Sequence, residues 1–193
     1  MWGALPDACL DQLFRTARTY KWWDDHPVTE ADIRAIYELM KWGPTSGNVT
    51  PARFVWVTTE EAKRRLEPLL DLYNRKKTMK APATVIVAYE SDFRPTLDRL
   101  NPEAAEWFEE HEAREYEAFR SGTLQGAYLI LAARALGFDC GPQGGIDRAG
   151  IDREFFAGTT IRSNFIISIG RGSDHRLKPR AHRLAFEDAN RII

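Results

Sequence analysis

The run Ala83-Thr84-Val85-Ile86-Val87-Ala88-Tyr89 constrains the fold more than any other stretch. It is nearly continuous in apolar residues, the pattern of a central strand covered on both faces. Two further runs read as strands: Phe54-Val55-Trp56-Val57 and Phe165-Ile166-Ile167-Ser168-Ile169-Gly170. Helical patterns separate all three. Few strands spaced by helices predict an α+β chain, with a small mixed sheet wrapped by helices. The 193 residues suffice for a single domain, 1-193, with a sizeable core.

The helices follow from apolar spacing. Leu5, Leu10, Leu13 and Phe14 make a short first stripe with Asp7 as its cap, and Asp24, Asp25 and Pro27 keep the helix from running much further. Thr29-Glu30-Ala31-Asp32 is a capping box with Asp in place of Glu, and it opens a helix that buries Ile33, Ile36, Tyr37 and Met40. Thr59-Glu60-Glu61 starts another, with Leu66, Leu69, Leu70 and Tyr73 inward. The segment from Pro102 to Phe119 is acidic and helix-prone, its charges a solvated face. Leu124, Ala127, Tyr128, Leu131, Ala132 and Ala135 make the most apolar helix, ended by Gly137. Such a helix is covered on most sides, in the core or at a subunit interface. Ile151 to Phe156 is a short amphipathic helix, and Leu177 to Phe186 is a basic tail with two apolar anchors.

Charge and cysteine content exclude several classes. A formal net charge of -1 gives no general pull toward nucleic acid or acidic membranes. No apolar run reaches bilayer length, and the first residues do not read as a secretory signal, so a cytoplasmic protein is expected. Cys9 and Cys140 make no disulfide framework. The histidines have no metal-ligand spacing, and neither Gly-x-Gly-x-x-Gly, a P-loop nor Gly-x-Ser-x-Gly is present.

What remains is a loop, a set of cations and a glycine-rich stretch. The loop runs Lys41-Trp42-Gly43-Pro44-Thr45-Ser46-Gly47-Asn48-Val49-Thr50-Pro51. Glycines and prolines shape it, while Thr45, Ser46 and Asn48 offer short hydrogen-bonding groups suited to a planar polar ligand. Arg18 and Lys21 come after the first helix, Asn74, Lys76 and Lys77 end the third, and Arg180 and Arg183 lie in the tail. Cys140-Gly141-Pro142-Gln143-Gly144-Gly145 reads as a turn after the apolar helix. Singly, each cation is a solubility residue and each glycine a turn residue.

Together these motifs, in this order, resemble the FMN-dependent nitroreductase superfamily over essentially the whole chain. Lys41–Asn48, Leu124–Gly137 and Glu154–Thr159 are most similar to the branch that contains the Rut-pathway malonic semialdehyde reductase. The resemblance implies an intertwined homodimer that binds FMN and takes electrons from NADPH or NADH. It implies that Arg18 and Thr19 approach the FMN phosphate and ribityl chain, and that Lys21 approaches the N1–C2 edge of the ring. A fixed cation there favours the reduced, anionic flavin. It places Asn74 and Lys77 on the pyrimidine side, and Arg180 and Arg183 at the phosphate. Pro142, Gln143, Gly144 and Gly145 form the turn whose backbone N–H faces N5. Pro44, Thr45, Ser46 and Asn48 become a contact donated by the opposite subunit.

Two positions depart from the family pattern. Ala17 stands where many members have a second arginine, which shifts the phosphate toward the tail. Gly144 stands where many have Glu, which leaves only backbone donation. The implied activity is ping-pong hydride transfer to a small-molecule acceptor, such as malonic semialdehyde. A general nitroaromatic or quinone reductase, a flavin-dependent dehydrogenase and a non-catalytic flavin-binding protein are the alternatives. Phe93 to Arg120 is the expected cover of the pocket, with Arg94, Arg99 and Arg120 as cations for an acceptor carboxylate.

Overall fold

The computed structural model describes residues 3–193. In chain order the elements are α1 (Asp7–Leu10, continued by a π turn over Asp11–Arg15), α2 (Glu30–Met40), β1 (Ala52–Val57), α3 (Glu60–Leu66), α4 (Leu72–Met79), β2 (Ala83–Glu90), α5 (Arg94–Leu100), α6 (His111–Ala135), β3 (Asp139–Gln143), α7 (Arg148–Phe155), β4 (Ile161–Gly170) and α8 (Phe186–Ala189). The sheet has four strands in the order β1-β2-β4-β3. The run that reads as central is central: β2 pairs with β1 on one side and β4 on the other, and Ala83 to Tyr89 are all buried. One face of the sheet packs with α2 and α6 around Ile36, Val85, Val87, Leu129 and Ile167. The other face packs with α3 and α7 around Val57, Leu66, Ile86, Ile151 and Ile166. Among the described residues no helix is long and apolar enough to cross a membrane.

Several elements differ from the sequence expectation, each for a physical reason. All three ladders are antiparallel, and the only parallel pairing among the described residues is an isolated bridge between Thr19 and Cys140. The stretch read as a glycine-rich turn is largely a strand, β3, on the sheet edge. Pro142 hides that strand from propensity, yet an edge strand tolerates a residue that donates no hydrogen bond. The single helix expected from Thr59 is two, because Pro68 cannot continue it. The helix restarts with another face inward, so Tyr73 is 95% exposed rather than buried.

The acidic and apolar helices at Pro102–Phe119 and Leu124–Leu136 are instead a 3₁₀ turn, Pro102–Phe108, followed by the unbroken α6 of 25 residues. The inward face of α6 carries Gly122, Gln125, Gly126, Leu129, Ala132 and Ala133. A Cβ on Gly126 would stand 2.6 Å from the Phe165 ring and 3.1 Å from Val87, so glycine lets the helix lie close to the sheet. Leu124, Ala127 and Ala135 lie on the opposite, exposed side, and Tyr128 and Leu131 are half-buried. The Thr29 capping box forms as expected: the Asp32 N–H donates to Thr29 Oγ1 at 3.2 Å and the Thr29 N–H to Asp32 Oδ2 at 2.8 Å.

Candidate functional site

The chain leaves the first helical stripe at Arg15, and Arg18 to Lys21 then runs extended along the outside of β3. The Tyr20 N–H donates to the Cys140 carbonyl at 3.2 Å. This approach needs glycine, since a Cβ on Gly141 would stand 2.4 Å from the Tyr20 carbonyl oxygen. Gly172 admits the Tyr20 ring in the same way, a Cβ there falling 2.3 Å from it. The Ser173 N–H donates to the Trp22 carbonyl, and the Asp24 N–H to that of Arg171, both at 2.9 Å. The first cations are thereby clamped against the chain that enters the tail. Arg18 donates to the Lys178 carbonyl, and Arg180 Nη2 donates to the Ala17 carbonyl at 2.7 Å.

These crossings enclose a cavity of about 720 Å³, lined among others by Arg18, Thr19, Lys21, Arg180 and Arg183. Of the residues expected at the phosphate, all are brought together here. The absence of arginine at position 17 is matched by structure: the Ala17 carbonyl receives the tail arginine instead. The lining holds no Asp or Glu. A pocket with many donors of one sign and no carboxylate is suited to an anion.

The second part of the site lies where α4 meets the end of β3. Asn74 Nδ2 donates to the Gly145 carbonyl at 2.9 Å, and the Asp71 N–H donates to the same oxygen at 3.2 Å. A Cβ on Gly145 would collide with Asp71 at 2.3 Å, whereas one on Gly144 would meet nothing within 4 Å. The Gly144 turn therefore presents open backbone. Burial, and then the neighbouring Lys21 charge, pushes the Lys77 ammonium below the usual lysine range. Lys21 and Lys77, from distant segments, are thus near enough for one charge to act on the other.

The Gln143 side chain is used within the fold, apart from the backbone role expected of the turn. Its Nε2 donates to Thr78 Oγ1 at 3.0 Å and to Ser168 Oγ at 3.1 Å, so its side chain ties α4 to β4. Pro142 pairs in the sheet opposite Ile167. Gln143 and Pro142 fix the turn from beneath, and only Gly144 and Gly145 are left to offer backbone.

The Pro44–Asn48 loop does not line the cationic cavity of its own chain. Its polar groups build the loop: the Thr50 N–H donates to Thr45 Oγ1 at 3.2 Å, the Ser46 N–H to Ser121 Oγ at 3.3 Å, and Asn48 Nδ2 to the Leu100 carbonyl at 3.1 Å. Tyr128 Oη donates to the Pro44 carbonyl at 2.9 Å. Gly47, Asn48 and Thr50 all have positive φ, at 52°, 55° and 36°. A β-branched residue in that region is strained, and such strain collects at functional loops.

The model of the nitroreductase family matches residues 14–171. The chain belongs to the nitroreductase family. This nitroreductase is 54% identical over 192 residues to a Caulobacter sp. (strain K31) protein, provisionally named NADH dehydrogenase/NAD(P)H nitroreductase, covering 98% of each chain. It is 52% identical over 195 residues to a Xanthomonas oryzae pv. oryzae (strain PXO99A) protein of the same name, covering 100% of both. Its fold matches that of the ydfN protein of Bacillus subtilis, with a TM-score of 0.88 over 97% of this chain and 100% of that one, at 20% identity. A nitroreductase-like protein of Exiguobacterium sibiricum, solved in complex with FMN, matches with a TM-score of 0.85 over 100% and 99% of the two chains, also at 20% identity. At such identity these two likenesses are of fold.

Sequence reading of this nitroreductase missed the residues that clamp the site. Gly141 and Gly172 are flanked in sequence by Cys140 and Pro142 and by Arg171 and Ser173, so only the fold shows that Tyr20 packs on them. The Gln143 tie carried no signal either, because its partners Thr78 and Ser168 are remote in sequence and ordinary in type.

Proposed function

We propose that the protein is a homodimeric FMN-dependent NAD(P)H oxidoreductase. The observation that carries this reading is the meeting of Arg18, Lys21, Arg180 and Arg183 in one cavity without carboxylates, with Lys21 close enough to Lys77 to depress it. A phosphate monoester carries about two negative charges near neutral pH, which suits arginine forks. A reduced flavin ring carries negative charge at its N1–C2 edge, which suits the paired lysines. The donor set therefore fits FMN. The FMN complex of the Exiguobacterium relative and the NAD(P)H in the names of the Caulobacter and Xanthomonas relatives support the same reading.

When bound, FMN supplies hydride acceptance and donation at N5, which no side chain can provide. The protein's residues bind and orient it. Arg18, Thr19, Arg180 and Arg183 would hold the phosphate end, Lys21 and Lys77 would stabilise negative charge at the ring edge, and the turn at Gly144 and Gly145 would offer backbone N–H groups to the ring. Asn74 commits one amide N–H to Gly145 and keeps its carbonyl oxygen as an acceptor for the pyrimidine side. Donor and acceptor use one pocket in turn, which gives ping-pong kinetics. Titration of the purified protein with FMN tests this reading. Flavin fluorescence should saturate at one FMN per chain, and a protein that leaves free FMN fluorescence unchanged would sink it.

The finer reading is reduction of a short oxo compound such as malonic semialdehyde, and the branch resemblance supports it. A specific observation favours the second reading, a general nitroaromatic or quinone reductase. Arg94 is bound to Asp92 through two contacts of 2.6 Å, and Arg120 to Glu117 at 3.1 Å, so two of the three cations expected for an acceptor carboxylate are already paired. Steady-state assays with both acceptor classes decide between them. A tenfold preference in kcat/KM, about 1.4 kcal/mol of transition-state binding, assigns the class.

A further inference from the structure

The turn after β4 carries an arrangement that FMN does not use. We propose that Trp22, Arg176 and Lys178 form a second anion subsite beside the flavin phosphate, and that it takes the phosphorylated adenosine of a nucleotide.

The charge count is the first ground. The cavity is lined by eight arginines and lysines and by no carboxylate. Among the described residues only Arg15 of these makes an ion pair, with Asp7 and Asp11. The FMN phosphate needs two or three of the others, since a monoester carries about two charges. Lys21 is assigned to the ring edge, and Arg134 is engaged by the Leu13 carbonyl at 2.9 Å. Arg176 and Lys178 are then cations in the same cavity with no anionic partner among the described residues. A cluster of like charges repels itself unless an anion fills it.

The second ground is an aromatic platform. Trp22 lines the cavity, with Arg176 Cζ 5.9 Å and Lys80 Nζ 5.1 Å from its ring centroid. The His175 ring meets it edge-on at 5.3 Å. The one carboxylate in this turn, on Asp174, lies 3.4 Å from the Tyr20 hydroxyl. A purine that displaces one of these cations from the ring gains the indole face, and the displaced cation stays beside it for a phosphate.

The third ground is the backbone. Arg176 has φ of 56°, in the left-handed region that a long side chain rarely adopts. The turn accepts this strain while it holds the guanidinium toward Trp22. A guanidinium in that place can stack on a base and grip a phosphate with its fork.

The inference rests on the FMN reading only in reserving Arg18, Arg180 and Arg183 for the flavin. The nucleotide can be free, as in the adenosine half of a dinucleotide donor, or joined to the flavin, as in FAD. Two arms separate these sources. In one, FMN-loaded protein is titrated with adenosine 2′,5′-bisphosphate by calorimetry. In the other, apoprotein is titrated with FAD and with FMN. The double variant Arg176→Gln/Lys178→Gln should weaken the bisphosphate, or remove FAD's advantage over FMN, by about tenfold, while FMN affinity stays within about threefold. Trp22→Leu should weaken the same ligand and leave inorganic pyrophosphate unaffected. The proposal is overturned if neither arm shows binding at this subsite, if the double variant leaves the binding unchanged, or if inorganic pyrophosphate binds as tightly as the bisphosphate. Failure of FMN to bind strikes the proposed function instead; the bisphosphate titration is then run on flavin-free protein, where Arg176→Gln/Lys178→Gln and Trp22→Leu should still weaken it and an unchanged affinity in both overturns the subsite.

Discussion

Lys77 carries its charge at a cost to the folded chain. Its ammonium is depressed by burial and by Lys21, so the folded chain binds fewer protons than the unfolded chain between the folded pKa and the ordinary lysine value near 10.5. Stability of the flavin-free protein should therefore rise as pH climbs through that window, and the charged form should cost stability below it. Lys77→Met removes the charge and keeps the length. The flavin-free variant should melt above the parent at pH 7, as differential scanning calorimetry would show. With FMN bound, its midpoint potential should fall by about 30 mV, equivalent to a tenfold weaker hold on reduced relative to oxidised flavin. A variant that melts lower and keeps its potential would show that Lys77 acts through packing instead. Cys140 lies at the opposite extreme of use. Burial pushes its thiol up to about 12, so alkylating reagents should modify only Cys9 in the folded protein.

At the scale of elements, the cover expected over Phe93 to Arg120 has a definite construction. Phe93, Leu97, Ala104 and Phe108 pack with Val49 and Tyr89 in a cluster of their own. Arg114, only 5% exposed, donates to the carbonyls of Phe108 and Glu109 and faces Asp92 at 3.6 Å. It fastens the end of the 3₁₀ turn to the first part of α6. Arg114→Ala leaves those carbonyls without their donor, while Asp92 keeps Arg94, and should cost about 2 kcal/mol by chemical denaturation. Amides from 93 to 110 should then exchange faster than those of β2. Gly126→Ala probes the other end of α6. The added methyl meets Phe165 and Val87, and overpacking of this kind costs about 1–3 kcal/mol. What the sequence revealed at this scale depended on range. The Thr29 cap and the β2 run are local signals and were legible. The split at Pro68 was legible in principle, because proline carries the instruction itself. β3 was not, since a strand containing Gly141 and Pro142 exists only because β4 pairs with it and Tyr20 covers it. The candidate cations were legible only as a set, and the cavity they share depends on main-chain crossings that no spacing encodes.

At the scale of the whole molecule, apolar surface and an unused loop point in one direction. Tyr37, Leu39, Trp42, Leu124 and Leu136 are exposed, Trp42 by 79%. Of these, Leu39 lines a shallow groove of about 240 Å³ between α2 and α6, together with Leu13, Met40, Tyr128, Leu131 and Ala135. The apolar residues of α6 that mark it as a covered helix are those on this side, so a single chain leaves the cover unfinished. The Pro44–Asn48 loop opens from the end of α2 beside the same groove, and Asn101 Nδ2 donates to the Gly47 carbonyl at 3.0 Å. The cover at 93–110 therefore travels with the loop. If the loop serves the flavin of a second subunit, the cover shields that flavin too, and neither pocket is complete in one chain. Obligate interfaces bury on the order of 2,000 Å² or more. The parent protein should accordingly sediment as a dimer at low micromolar concentration. Ala135→Glu places a charge in the groove, at a residue that does not line the cationic cavity. It should shift the protein toward monomer and weaken FMN binding by about tenfold, the measure of roughly one charge-assisted hydrogen bond from the partner's loop. A monomeric variant that binds FMN as tightly as the parent would show that each chain holds its flavin alone.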